Sequence, residues 1–323
     1  MDDDDRDLGA GERRGEEAAP PRFSVVIPTH NRAAVLQHAI DDVLAQRWSD
    51  LEVIVVDDGS TDETAASLST ISDPRLRFLA REQGGPGRAR NAGAAAARGS
   101  WLTFLDDDDR VADEWLSIFD EHTRDAGVGL VCCGTTLVDE DGAVLGAYRP
   151  EDLGPLYGNA RALFAPAAFA VAKPVFDAVG GYDPLMTFGE NFELGMRLGS
   201  VCKERALRIE TDDRCPVRWT RRPGPPPTRA RARDLHGAAV RLLEKHPGPL
   251  AADRDARWAT LSMAGVNAAR LGRNREAWGW LAQAMRVQPT RRKSWLRLGA
   301  ACVPLVARRL WGDYRASPDG ARS

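Results

Sequence analysis

Apolar runs that end in polar or acidic residues recur three times in the first third of the chain. Phe23-Ser24-Val25-Val26-Ile27 closes at Pro28-Thr29-His30-Asn31-Arg32, which predicts a buried strand stopped by the proline. Val35, Leu36, Ala39, Ile40, Val43 and Leu44 then follow at helical spacing, one apolar stripe of an amphipathic helix. Leu51 to Val56 predicts a second strand, opening onto Asp57-Asp58-Gly59-Ser60-Thr61-Asp62. There the glycine permits a tight turn, and Ser60, Thr61 or Asp62 offers an oxygen to cap the next helix. The third run, Trp101-Leu102-Thr103-Phe104-Leu105, is short, aromatic and β-prone, and it opens directly onto Asp106-Asp107-Asp108-Asp109. Strands alternating with helices, each strand delivering polar residues at its carboxyl end, predict an α/β fold with a parallel sheet and a ligand site beyond the strand ends.

The acidic run sharpens that expectation. Four consecutive carboxylates at a strand end place several negative charges where a cation would offset them. Hard divalent ions such as Mg2+ or Mn2+ take one or two protein carboxylates together with substrate phosphates. The alternative is an acidic loop that is simply solvated.

Five segments carry a resemblance to a known family. They are Val-Val-Ile-Pro-Thr-His-Asn-Arg at 25–32, Val-Val-Asp-Asp-Gly-Ser-Thr-Asp at 55–62, Gly-Arg-Ala-Arg-Asn-Ala-Gly at 87–93, Phe-Leu-Asp-Asp-Asp-Asp at 104–109 and Gly-Gly-Tyr-Asp at 180–183. In this order, over residues 23 to 200, they make the chain resemble a family 2 glycosyltransferase with the GT-A fold, although each segment alone is weak. The resemblance implies that Pro28, Thr29, Asn31 and Arg32 line a nucleoside pocket, that Asp57 or Asp58 accepts from base or ribose, and that Arg90 and Asn91 face the nucleotide. It places Asp106 and Asp107 near ribose or sugar and makes Asp108, with Asp106, the expected metal ligands. The implied Mn2+ or Mg2+ bridges the diphosphate of a nucleotide-sugar donor, uridine first and thymidine next, in an inverting transfer to a glycan, lipid-linked or small-molecule acceptor. Asp57 or Asp58 as mere turn residues, and Arg90 as a surface residue, remain the plain readings.

One position departs from the family. Its inverting members carry Glu-Asp shortly after Gly-Gly-Tyr-Asp, with the aspartate as general base; here the pair is Glu190-Asn191. An amide is not basic near neutral pH and cannot take a proton from a hydroxyl. Glu190 and Glu193 are the substitutes, and Glu190 is the stronger because Glu193 stands four residues before Arg197 on a predicted helix, the spacing of a structural ion pair. A second class of reading follows: a catalytically silent nucleotide-sugar-binding or scaffold protein. A nucleotidyltransferase would also place carboxylates at strand ends, but the first strand lacks a glycine-rich phosphate loop of that type.

With 323 residues, 43% of them hydrophobic, the chain can bury a sizeable core. Its net charge of −3 hides an asymmetry: residues 1–21 hold 3 basic and 8 acidic groups, whereas 214–323 hold 23 basic and 7 acidic. Residues 1–21 read as a disordered acidic tail with no apolar stretch of the signal-peptide kind. A GT-A domain is expected at 22–213, a Pro/Arg-rich loop or linker at 214–235 and a helical extension at 236–323. The basic end suits an anionic partner, a membrane surface or a lipid diphosphate, though arginine outnumbers lysine 40 to 4, as a GC-rich genome would also produce. No nucleic-acid-binding role is expected.

Arg218, Arg221 or Arg222 could clamp the diphosphate, and exposed linker arginines are the rival reading. His236 is expected as a packing or surface residue. Cys132, Cys133, Cys202, Cys215 and Cys302 lack CxxC spacing and read as reduced thiols of a cytoplasmic protein. Residues 257–291 resemble one tetratricopeptide-like helix pair, which cannot form a solenoid alone and is expected to pack on the sheet domain. Ser294 to Leu310, with Trp295 and Trp311 and basic flanks, suits an interfacial helix or a core helix equally.

Overall fold

The computed structural model describes residues 19–221 and 229–302. The expected acidic tail therefore lies almost wholly outside the described residues. The chain runs β1 (Phe23–Thr29), α1 (Ala33–Leu44), β2 (Leu51–Asp57), α2 (Thr64–Leu68), β3 (Leu76–Ala80), α3 (Pro86–Ala96), β4 (Trp101–Phe104), β5 (Arg110–Val111) and α4 (Trp115–Thr123). It continues through β6 (Val128–Cys132), β7 (Thr135–Val138), β8 (Val144–Tyr148), β9 (Glu151–Asp152), β10 (Arg161–Ala162), β11 (Phe169–Ala172), α5 (Lys173–Ala178), α6 (Glu190–Glu204), β12 (Arg208–Thr211) and β13 (Val217–Thr220). The helices α7 (Arg229–Lys245), α8 (Pro247–Ala252), α9 (Arg254–Arg270), α10 (Asn274–Val287) and α11 (Arg292–Cys302) follow.

Strand order in the seven-stranded sheet is β12-β6-β11-β4-β1-β2-β3. The chain steps outward from β1 to β2 to β3, all parallel, and then α3 returns it to β4 on the opposite side of β1. The carboxyl ends of β1 and β4 thus flank a topological switch point, where adjoining loops diverge and leave a crevice. β11 inserts antiparallel between β4 and β6.

All seven residues of β1 are buried, as a strand covered on both faces requires. Val25 and Ile27 pack on one face with Leu36 and Ile40 of α1 and Trp115 and Phe119 of α4. Val26 points to the other face, with Ala89 of α3, Phe104, Phe176, Tyr182 and Leu194. Each valine, leucine, isoleucine or phenylalanine among them contributes about 1.5–3 kcal/mol by leaving water. Pro28 does not stop the strand, which pairs with β2 through Thr29. The carbonyl of Val26 accepts from Leu105 N–H, so Val26 and, two residues on, Pro28 face the β4 side, and β4 ends at Phe104. The N–H that Pro28 lacks would have met no ladder partner.

The stretch expected as a loop or linker at 214–235 is partly regular. Val217–Thr220 forms β13, central in a smaller sheet of order β5-β13-β7-β8, and α7 begins at Arg229. The alternation Val217, Trp219 is short and sits beside prolines, so only the waiting edges of β5 and β7 make it a strand. The prolines at 223 and 225–227 lie outside the described residues.

In the C-terminal helices, α9 packs between α7 and α10. His236 on α7 lies 3.0 Å from the carbonyl of Ala264 and 2.9 Å from Glu276, joining three helices as a buried packing residue. Trp258 Nε1 donates to Ser294 Oγ at 2.7 Å and ties down α11, while Trp295 and Leu296 stay exposed. The rest of the expected helix, 303–310, and Trp311 lie outside the described residues. Among the described residues no helix is long and apolar enough to cross a membrane. Cys132, Cys133, Cys202 and Cys215 are free thiols; the Cys302 side chain lies outside the described residues.

Candidate functional site at the sheet switch point

A cleft of about 440 Å3 opens where the switch point requires it, walled by the loops after β1, β2 and β4, the first turn of α3 and the start of α6. Pro28, Thr29, Arg32, Asp58, Arg90, Asp106, Asp107, Asp108 and Glu190 all line it. Asn31, Asp57, Asn91 and Asn191 do not appear among the lining residues.

The four that stay outside act on the walls. Asn31 adopts a φ of 52°, which asparagine tolerates, and its Oδ1 accepts from Thr61 N–H at 2.8 Å and Asp62 N–H at 3.3 Å. Its own N–H donates to Ser60 Oγ, so the loops after β1 and β2 are stitched together. Asp57 accepts from Ser60 N–H at 2.9 Å and closes the turn in which Gly59 takes a φ of 79°. A Cβ on Gly59 would lie 2.8 Å from the backbone nitrogen of Gln83, so this turn requires glycine for both conformation and approach. Asn91 grips the backbone of Tyr182 with both ends of its amide, each bond 2.8 Å. A Cβ on Gly181 would come within 2.5 Å of that amide, which accounts for the second glycine of Gly-Gly-Tyr-Asp. Asn191 accepts from the buried Tyr182 hydroxyl at 3.0 Å. Asp62, one of the expected caps, accepts from Thr64 N–H at 3.0 Å where α2 starts.

Asp58 is buried, and its carboxylate accepts from Gly84 N–H, Gly85 N–H and Arg81 Nη1. It thereby holds the segment that leads into α3. That helix starts with Gly85 as cap and Pro86 in the first turn, and its amino end, where helices favour anions, faces the cleft. His30, Gln83, Gly85, Pro86 and Ala89 are lining residues that the sequence reading missed. Gly85-Pro86 carried a helix-start signal that could have found this wall; nothing in the sequence marks His30. Its Nδ1 donates to the carbonyl of Asp58 at 3.0 Å in the tautomer that lets Nε2 accept from Gln83.

The acidic run sits at the base. Thr29 Oγ1 donates to Asp107 at 2.7 Å, Arg32 Nη1 to Asp108 at 2.8 Å, and Arg90 Nη2 to Asp106 at 2.6 Å. Arg90 is buried, stands over the Tyr182 ring, and through Nη1 also donates to Glu190 at 3.0 Å. One guanidinium therefore joins the acidic run to α6. Burial pushes the Asp107 carboxyl up to about 6; Asp106 and Asp108 add to the rise, while the Thr29 hydroxyl and Arg32 oppose it. Asp106 and Asp108 remain about a third exposed. Three oxygen-bearing carboxylates gathered in one cleft, one of them held high for want of positive charge, fit a hard divalent cation. Arg218 and Arg221 are not lining residues, and Arg222 lies outside the described residues.

Behind α6 lies a second charged cluster. Glu193 has a fully buried side chain that accepts from Arg197 Nε at 2.8 Å and Nη2 at 2.5 Å, and lies 2.8 Å from His246 and 2.9 Å from Lys245. Lys245 Nζ also donates to Asp183 at 2.9 Å, beside Arg241 Nε at 3.0 Å. Burial would raise the Glu193 carboxyl, but these donors hold it well below the usual range. As the i, i+4 spacing anticipated, Glu193 is a structural partner of Arg197.

The family model for glycosyl transferase family 2 matches residues 24–176. The succinoglycan biosynthesis protein ExoO of Rhizobium meliloti (strain 1021) is 34% identical over 184 residues, which cover 54% of this chain and 53% of that protein. The chain thus spans about half the length of that curated relative. Among solved structures, S. aureus TarS 1-349 in complex with UDP-GlcNAc is similar with a TM-score of 0.61 and 18% identity, over 93% of this chain and 95% of that one. The mannosyltransferase PcManGT from Pyrobaculum calidifontis, in complex with GDP-Man and Mn2+, gives 0.53 and 18%, over 91% and 88%. At such identities the structures speak for the fold alone. Residues 24–176, which hold the carboxyl ends of β1, β2 and β4 and the first turn of α3, match the glycosyl transferase family 2 model, and the chain has the GT-A type of fold followed by a helical C-terminal extension.

Proposed function

We propose that this chain is a metal-dependent, inverting glycosyltransferase that moves a sugar from a nucleoside diphosphate sugar, UDP first, to a hydroxyl of a glycan, lipid-linked or small-molecule acceptor. The observation that supports it most is the gathering of Asp106, Asp107 and Asp108 at the switch point opposite the amino end of α3. Asp108 and Asp106 would hold Mn2+ or Mg2+, and the ion when bound would offset charge on the departing diphosphate. Arg32 and Arg90 hold those carboxylates in place. Glu190, the acid of α6 that lines the cleft, takes the acceptor proton, and Arg90 fixes its orientation. The nucleotide sugars of TarS and PcManGT are those proteins' own ligands and motivate the donor class only.

Donor binding and turnover with a panel of nucleotide sugars, read with Mn2+ and with chelator, test this. Asp108→Asn is expected to abolish Mn2+-dependent donor binding and leave the fold intact. Donor affinity and turnover that ignore chelator overturn the metal assignment. A silent donor-binding protein is the second reading, favoured by Asn191, whose amide is engaged by the Tyr182 hydroxyl; it predicts binding without transfer for every acceptor offered. Exposed Arg292 and Lys293 beside exposed Trp295 and Leu296 support peripheral contact with an anionic membrane face in a cytoplasmic protein. Equal binding to neutral and anionic vesicles excludes it.

A further inference from the structure

The C-terminal helices meet the sheet domain at Asp183 and Glu193, behind the cleft. Asp183 directly follows Tyr182, whose ring lies under Arg90 and whose hydroxyl binds Asn191. Glu193 lies one helical turn after Glu190 on α6. Both carboxylates have side chains no more than 2% exposed, and one ammonium, Lys245 at the end of α7, reaches both. Arg241, one turn earlier on α7, adds to Asp183, and His246 adds to Glu193. On the site side, Arg197 fastens Glu193 to the carbonyls of Val179 and Gly181, both bonds 2.6 Å, so the loop before Tyr182 and the helix bearing Glu190 belong to one hydrogen-bonded unit.

We propose that Lys245 is a positioning residue of the transfer site: by bridging Asp183 and Glu193 it holds the start of α6, and with it Glu190, against Arg90. The inference rests on the reading of Glu190 as the proton acceptor. Its physical basis is that Lys245 is the one group the two carboxylates share: without it each keeps a cation of its own, Arg197 for Glu193 and Arg241 for Asp183, but the link between α6 and the Tyr182 loop through α7 is lost and both buried charges are less compensated. Three donor-side groups are tied down independently, Asp58 by the 81–85 segment, Asp107 by Thr29 and Asp108 by Arg32, whereas Asp106 shares Arg90 with Glu190. Loss of Lys245 should therefore act on the acceptor side of the reaction.

Lys245→Met in the full chain is expected to lower kcat by about 10- to 100-fold, the range for small displacements of catalytic groups, with the donor KM changed by less than about twofold. Backbone amides of residues 182–194 should exchange hydrogen faster, and Lys245→Arg should restore both readouts. An unchanged kcat, or a loss matched by equal loss of donor binding and of folded protein, overturns the proposal. If Lys245→Met does not fold, Arg241→Met removes one contact to Asp183 and leaves Lys245; it should give a smaller loss of kcat and faster exchange at 182–186, and no change in either is fatal. Should the parent protein turn over no nucleotide sugar, the transferase reading fails, and exchange at 182–194 alone decides: amides protected equally in parent and Lys245→Met refute the coupling.

Discussion

Two buried carboxylates that each lie near an arginine, Asp107 at the switch point and Glu193 behind α6, are pushed in opposite directions. At the switch point, burial outruns compensation, and Asp107 is pushed up to about 6. Behind α6, Arg197, Lys245 and His246 outrun burial, and Glu193 is held well below its ordinary range. Asp107 opens on a cleft, whereas Glu193 and Asp183 are paired and closed off from water. A paired, buried cluster supports structure, whereas one left under-compensated on a cavity is suited to a cation and a phosphate.

The largest effect should come from the residue that joins the two regions. Glu190→Gln is expected to lower turnover by about 10²- to 10⁴-fold, the range for a general base, with donor affinity nearly unchanged. Single-turnover assays with a true acceptor check this. Transfer that survives Glu190→Gln would assign the proton to another group, and recovered transfer confined to Asn191→Asp would favour the silent-binder reading.

Glu193→Gln should cost about 3–5 kcal/mol of stability, as removal of one member of a buried ionic cluster does, read from denaturant midpoints. Asp108→Asn, at a partly exposed position, should cost far less. Similar losses for the two would erase the distinction between the clusters.

The smallest effect is on pH dependence, where the clusters differ in sign. Asp107 has an ordinary value of 3.8 and a folded value of about 6, so in that window the folded state binds the extra proton and stability falls as pH rises from about 4 to 6. Glu193 is lowered from 4.5, so the unfolded chain binds the extra proton and stability falls as pH drops below about 4.5. Asp107→Asn should remove the first slope and Glu193→Gln the second, measured as melting temperature against pH without divalent ions. Two slopes of the same sign would break the comparison.

Much of this was legible along the chain. Predominantly apolar runs without strict alternation gave β1, β2 and β4, because strands buried on both faces need none. Other strands were not legible: β13 pairs only because β5 and β7 present edges to it, and its four residues beside prolines carry no signal of their own. Motif spacing picked out the neighbourhood of the cleft more reliably than the direction of each side chain. Arg90 and Asn91 are successive residues on α3, about 100° apart around its axis, so one enters the cleft while the other grips Tyr182.

Sequence by itself determined that carboxylates would collect at strand ends, that the glycine at 59 would serve a tight turn, and that Glu193 would pair with Arg197, because each depends on residues close in the chain or on backbone conformation. Only the tertiary structure decided that Arg90 bridges Asp106 to Glu190 and that Lys245 reaches across from the C-terminal helices to Asp183 and Glu193. Those contacts span up to 100 residues, and ionic partners at such separations are selected by how layers pack and which charges burial leaves without water, neither of which is written in local pattern.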